Sequence, residues 1–152
     1  QEIEELDWLG HTQQVLGWVQ YRQGNLKGSL KTLQAAHELL YAQGHNDGII
    51  STLADMSLVT FDLGDPLEAV ALAERAIKLA SELSKPAPVH GYALWQYAVL
   101  DAKRDQPHEL IIERALEAIA IFESSFANRW ADRARSRLEK FKQNGNIKEL
   151  IF

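Results

Sequence analysis

Leu53-Ala-Asp-Met-Ser-Leu-Val-Thr-Phe61, running on into Leu63-Gly-Asp-Pro66, decides the fold, because the chain contains it three times. Gln13-Gln-Val-Leu-Gly-Trp-Val-Gln-Tyr21 aligns with it 40 residues earlier, and Leu94-Trp-Gln-Tyr-Ala-Val-Leu-Asp-Ala102 aligns 41 residues later. Self-similarity at a fixed period of this size is the signature of a repeat architecture. One column holds a small residue in every copy: Gly17, Ser57 and Ala98. So little bulk there lets a neighbouring helix approach closely. Just beyond Tyr21 and Phe61 come the breakers Gly24-Asn25 and Gly64-Asp65; the third copy has Arg104-Asp105 instead. Glycine in the left-handed conformation ends a helix, and Asn or Asp caps the next one. Pro66 and Pro107 stand where a first helical turn tolerates a missing N–H.

A second helix follows each breaker. Leu26, Leu30, Leu33, Ala36 and Leu40 recur at helical spacing, as do Leu67, Val70, Ala73, Ile77 and Ala80, and then Leu110, Ile111, Ala115, Ala118 and Phe122. No run of β-branched residues bounded by turn signals suggests a strand. The expected fold is all-α: a right-handed solenoid of three helix pairs with a capping helix. The pairs span roughly 4–23 with 26–43, 47–63 with 66–84, and 88–103 with 107–125, within one repeat domain of residues 1–143. Asp47 and Asp65 read as helix starters, and residues 83–88 as the clearest linker. The seventh helix, about 128–143, sets an apolar stripe of Trp130, Ala134, Leu138 and Phe141 against Arg129, Arg133, Arg135, Arg137, Lys140 and Lys142. A terminal repeat needs such a charged outer face. Residues 144–152 form an apolar tail in which Ile147, Leu150, Ile151 and Phe152 are candidates for self-association. Four placements are open for it: against the seventh helix, in its own groove, in a neighbour's groove, or as the start of a further helix.

The 152 residues are 46% hydrophobic and 24% charged, an ordinary globular balance. Cysteine is absent, which excludes disulfides, a cysteine nucleophile and thiolate metal sites. The net charge of -5 argues against a whole-domain nucleic-acid footprint, and the basic seventh helix lacks interleaved aromatics for gripping single strands. No stretch has the length of a membrane span, and no leader is visible, so the expected setting is cytoplasmic. The missing initiating Met fits a processed product or a piece of something longer. His11, His37, His45, His90 and His108 are scattered without metal-ligand spacing, and no phosphate loop or nucleophile elbow occurs. Neither catalysis nor a metal or other cofactor is expected. His45 and His108 read as surface residues, and Trp8 and Trp130 as terminal packing.

On these motifs the chain resembles a tetratricopeptide-repeat protein. Leu53, Met56-Ser57, Phe61, Leu63-Gly64-Asp65-Pro66, Ala69 and Ala73 carry the resemblance best, and Gly17, Tyr21, Gly24-Asn25, Ser29, Leu33 and Ala36 repeat it. The family period is 34 residues, whereas this one is about 40; longer units of this kind are similar to those of bacterial signalling ATPases and transcriptional activators. The resemblance implies a concave groove lined by the first helix of each pair. Its columns would be His11, Ser51 and Tyr92; Gln14, Ala54 and Trp95; and Trp18, Leu58 and Val99. So apolar a groove suits a peptide or an amphipathic helix. The family's basic clamp for terminal carboxylates is not matched, because Gln14, Trp18, Asp55, Tyr92 and Gln96 occupy its columns. The function implied is a protein-interaction scaffold with a protein or peptide partner. The alternatives are a ligand-sensing regulatory domain of a larger protein and, third, a self-associating scaffold. For self-association, the acidic Glu2, Glu4, Glu5 and Asp7 stand against the basic seventh helix.

Overall fold

The computed structural model describes the backbone of residues 2–152 and the side chains from Trp8 onward. The described chain is all-helical. Its helices are α1 (Glu2–Arg22), α2 (Leu26–Ala42), α3 (Asn46–Asp62), α4 (Pro66–Ser81), α5 (Pro88–Lys103), α6 (His108–Ser124) and α7 (Asn128–Asn144), followed by the single 3-10 turn η1 (Ile147–Glu149). The sequence boundaries hold to within three residues, and the linker 83–88 ends with Pro88 as the first residue of α5. The chain forms two compact units, residues 1–79 and 80–152.

Helix ends follow the chemistry of the breakers. Gly24, Gly44, Gly64 and Gly145 all have positive φ, the left-handed stop that glycine takes without strain. Asn25 and Asp65 then cap α2 and α4 by accepting from the amides of Gly28 and Glu68, both at 3.1 Å. α3 starts differently from expectation. His45, not Asp47, is its cap: the Nδ1 atom accepts from the Gly48 amide at 3.3 Å, and Asp47 lies in the first turn. Arg104-Asp105 departs from the glycine pattern in sequence and not in backbone, because Asp105 adopts φ 54 itself. Asp is among the few residues that tolerate that region. Pro107 precedes α6 instead of opening it.

Phe126 also sits at φ 59, with its side chain 89% exposed. A left-handed non-glycine residue costs roughly 1–2 kcal/mol, and glycine's extra chain entropy returns roughly half of that. Phe126→Gly is therefore expected to stabilise the protein by about 0.5–1 kcal/mol, which raises the melting temperature by about 1–4 °C. A melting temperature that stays level or drops would show that the ring makes a contribution its exposure hides.

In the first unit, Gly17 is required by packing. A Cβ there would lie 2.6 Å from Cγ of Leu33, a fully buried side chain of α2. The same approach lets Ser29 donate to the Gly17 carbonyl at 2.7 Å. Gly10 and Gly48 both abut Leu40, so α1 and α3 close on one leucine of α2. In the second unit Gly91 plays this part, with Phe122 at 2.7 Å and the Ala118 carbonyl at 3.0 Å from its missing Cβ. α7 packs on α6 through Ala131, Ala134, Leu138 and Phe141.

Two imidazoles are held in the neutral form. Partial burial, reinforced by Arg75, lowers the pKa of His37, whose Nδ1 lies 2.9 Å from the Thr52 hydroxyl; burial likewise lowers that of His90. A lowered folded-state value means that the unfolded chain binds protons first on acidification. The stability is intact above about pH 6.5, the ordinary histidine value, and is lost as pH falls below it and through the folded values. Urea midpoints at pH 7.5 and 5.5 should differ more in the wild type than in a variant carrying His37→Gln and His90→Gln. Equal differences would assign the loss to other groups.

Candidate functional site

Both candidate surfaces are built on first helices, and each lies within one unit. In the first unit, α1 and α3 are joined by polar rungs. Gln14 donates to Asp55 at 3.1 Å, and Tyr21 donates to Asp62 at 2.9 Å. Each rung spans 41 residues, so the repeat that aligns the helices also brings these side chains face to face. His45 accepts from Gly48 through Nδ1, which leaves the hydrogen on Nε2; that atom faces Nε2 of His11 at 3.5 Å. Burial first, then the charge of Asp62, pushes the Tyr21 phenol far above its ordinary range, so it stays a donor. Trp18 is half-buried, with its ring 5.0 Å from that of Tyr21. Ser51 is half-buried, whereas Ala54 and Leu58 are buried in the core.

The outer side of α1 is unlike that of its counterparts. α3 and α5 are buried nearly all round, polar residues such as Asp55 and Gln96 included. On α1, by contrast, Trp8, Leu9, Val15, Leu16 and Val19 are exposed. The terminal packing expected of Trp8 is not what the structure places there: its side chain is 76% exposed. The acidic run Glu2, Glu4, Glu5 and Asp7 has side chains outside the described residues.

In the second unit, α5 and α7 form an aromatic cradle that is already filled. The chain leaves α7 at Gly145, closes the turn η1, and lays Leu150 and Phe152 against α5. The indole Nε1 of Trp95 donates to the Leu150 carbonyl at 2.7 Å. A guanidinium nitrogen of Arg137 donates to the neighbouring Glu149 carbonyl at 3.0 Å. The Phe152 ring stacks on Trp95 at 5.0 Å and meets Trp130 edge-on at 5.2 Å. Arg133 and Arg137 flank it at 5.0 and 5.6 Å, within cation–π range. Trp95 and Leu150 are 0% exposed, and Val99 is equally buried. Tyr92, half-buried, stands edge-on to Trp130 at 6.1 Å, and its hydroxyl accepts from Gln96 at 3.0 Å. Of the tail candidates, Leu150 and Phe152 are buried, and Ile147 and Ile151 are half-buried.

The structure thus places the tail in a groove of its own unit and brings Tyr92 and Trp95 together there. Arg133, Arg137 and Trp130 belong to that site too. Sequence reasoning had put them on a capping helix, and their only signal was the position of Trp130 one helix face from two arginines. The basic helix spends its charge locally: Arg135 pairs with Glu123 and with Asp132, and Lys142 pairs with Glu139. His45 caps a helix, and His108 packs its ring 5.2 Å from Phe141. Deeper in the unit, Asp101 is buried and paired with Arg114 at 2.7 Å and Arg104 at 3.3 Å.

Two further hollows lie in this unit. One of about 340 Å³ runs between α6 and α7 over Leu116, Ile119 and Leu138; the other, of about 330 Å³, lies beside Asp105, His108 and Phe141. Both fall at the small end of the ligand-site range. Among the described residues, no group of three or more His, Cys, Asp or Glu is placed to hold a metal ion, and no helix is long and apolar enough to cross a membrane. Comparison of the chain with family models, with curated proteins and with solved structures finds no match.

Proposed function

We propose that this chain is a protein-interaction module of the tetratricopeptide-like kind, and that the α5/α7 cradle is where it holds a short peptide segment. One observation carries the reading: the cradle receives residues 149–152 by the means proteins use for peptides. Two side-chain donors, Trp95 and Arg137, take consecutive backbone carbonyls, which is blind to sequence. A slot between Trp95 and Trp130 takes an aromatic ring, which is selective. Large aromatics and arginine are also the residue types that dominate interface energetics.

The test uses the full chain carrying Leu150→Ser and Phe152→Ala, which weakens the resident segment, and a fluorescent synthetic peptide Ile-Lys-Glu-Leu-Ile-Phe as probe. Anisotropy should rise saturably and fall when Trp95→Phe is added, a change that keeps an aromatic ring at the site and removes the N–H donor. No binding up to about 1 mM, the floor of meaningful affinity, would sink the reading.

Self-association is a second reading, favoured by the exposed apolar side of α1. Trp8, Val15, Leu16 and Val19 make an apolar stripe of the kind that marks contact surfaces on a helix. If it pairs copies, the mass from light scattering rises with concentration and returns to the monomer in a variant with Val15→Glu and Val19→Glu. A constant mass in both proteins removes this reading.

A further inference from the structure

We infer that residues 147–152 are a tethered ligand of the α5/α7 cradle, and that the partner they stand in for presents an aliphatic residue at the end of a tight turn and an aromatic one two places on. The inference rests on the peptide-docking reading above and says which peptide, and what keeps it out.

The geometry points to an exchangeable occupant and not to a fixed piece of core. Within the tail, the backbone hydrogen bonds close on the segment itself: the Glu149 amide donates to the Asn146 carbonyl at 3.0 Å, and the Leu150 amide to the Ile147 carbonyl at 2.9 Å. Its ties to the helices run through side chains: donation from Trp95, Arg137 and, at 3.4 Å, Asn144, together with ring contacts. The link is short and exposed, with Gly145 at φ 66 and the Asn146 side chain accepting from the Lys148 amide at 3.0 Å. Pivoting there leaves the backbone hydrogen bonds of α7 intact and gives up only side-chain bonds to the tail, such as that of Arg137. Local openings of this kind need far less than global unfolding.

Each position of the segment has a reader. The Leu150 side chain is wholly buried, so that place takes an aliphatic group. Phe152 lies between Trp95 and Trp130 with two guanidiniums beside it; an aromatic ring gains stacking and cation–π attraction there, and an aliphatic group gains apolar burial alone. The buried indole N–H of Trp95 needs an acceptor, which any backbone supplies only if the flanking side chains seat it in register. Lys148 is exposed, and Ile151 half-buried, so those places read little. A partner segment in which Leu-x-Phe follows a tight turn meets the same donors and the same slot.

A short tether holds its ligand at an effective concentration in the millimolar range, so a competitor arriving from solution is penalised strongly. The labelled Ile-Lys-Glu-Leu-Ile-Phe peptide should bind the full wild-type chain about ten-fold or more weakly than the Leu150→Ser, Phe152→Ala chain. A peptide ending Leu-Ile-Leu should bind that variant several-fold more weakly than the Phe form. Independently, in the wild type the Trp95 indole hydrogen should exchange with deuterium well ahead of the Leu100 amide, because only the tail must open. Equal affinity of the two chains, or an indole that exchanges in step with Leu100, overturns the inference while leaving peptide docking standing. Binding to neither chain removes both. If thermal melting shows the double variant unfolded, the exchange measurement on the wild type decides alone.

Discussion

Trp95→Ala is expected to cost about 3–5 kcal/mol, the usual range for emptying a large aromatic site in a core. Trp95 is 0% exposed, its ring stacks on Phe152, and its N–H is bonded to the Leu150 carbonyl at 2.7 Å. Truncation removes both and leaves the carbonyl without its donor. For a chain of this size the melting temperature should fall by about 6–20 °C. Trp18→Ala should behave quite differently. That ring is half-buried and leans on Tyr21, so its loss should fall within about 1 kcal/mol or so of the wild type. The two tryptophans read alike as groove candidates, yet only one can be removed without disturbing the fold. A drop under 3 °C for Trp95→Ala would show that the site relaxes by releasing the tail, and Trp95→Phe is the variant that tests recognition apart from packing.

Arg114→Ala should be similarly costly for an electrostatic reason. Its Nε sits 2.7 Å from Oδ2 of Asp101, and the guanidinium lies 3.7 Å from the centroid of the Tyr97 ring. Asp101 is 1% exposed. Removing the arginine leaves a buried carboxylate with Arg104 at 3.3 Å as a partner that is itself nearly a third exposed. Breaking a buried pair from one side costs about 3–5 kcal/mol; with Arg104 retained, the lower end applies. The double variant Asp101→Leu, Arg114→Met should recover most of that, because it removes the uncompensated charge along with its partner. A urea double-mutant cycle measures the coupling. A single-variant cost below about 1 kcal/mol would show that water reaches Asp101 once the arginine is gone.

Much of the helix plan was legible from residues that act locally. A left-handed stop needs only its own backbone freedom, so Gly24 and Gly64 announced helix ends, and Asp105 could substitute because its short side chain also tolerates that region. Gly17 announced a close approach, and Leu33 supplies it. Phe126 was not legible, since nothing in its type suggests positive φ. Nor was the His45 cap: histidine is not among the usual capping residues, and here its Nδ1 accepts from the Gly48 amide while Nε2 faces His11. The rungs Gln14–Asp55 and Tyr21–Asp62 were hidden in the sequence because they join polar side chains 41 residues apart, one position off the 40-residue register of the apolar columns.

The sequence by itself determined the seven helices, their pairing at a 40-residue period and the charged outer face of α7, because periodicity, caps and breakers are properties of a few neighbouring residues. Tertiary structure alone decided which of the apolar faces are covered. α1, α3 and α5 all carry large apolar residues, yet α3 and α5 are enclosed while α1 keeps Trp8, Val15, Leu16 and Val19 in water. It also decided the fate of the tail. Ile147, Leu150, Ile151 and Phe152 would satisfy any apolar groove, and what selects the α5/α7 cradle is a donor N–H, a guanidinium and a ring slot contributed by residues from 95 to 137. Hydrophobic burial is non-directional and tells a segment only to leave water; hydrogen bonds and ring geometry tell it where to stop.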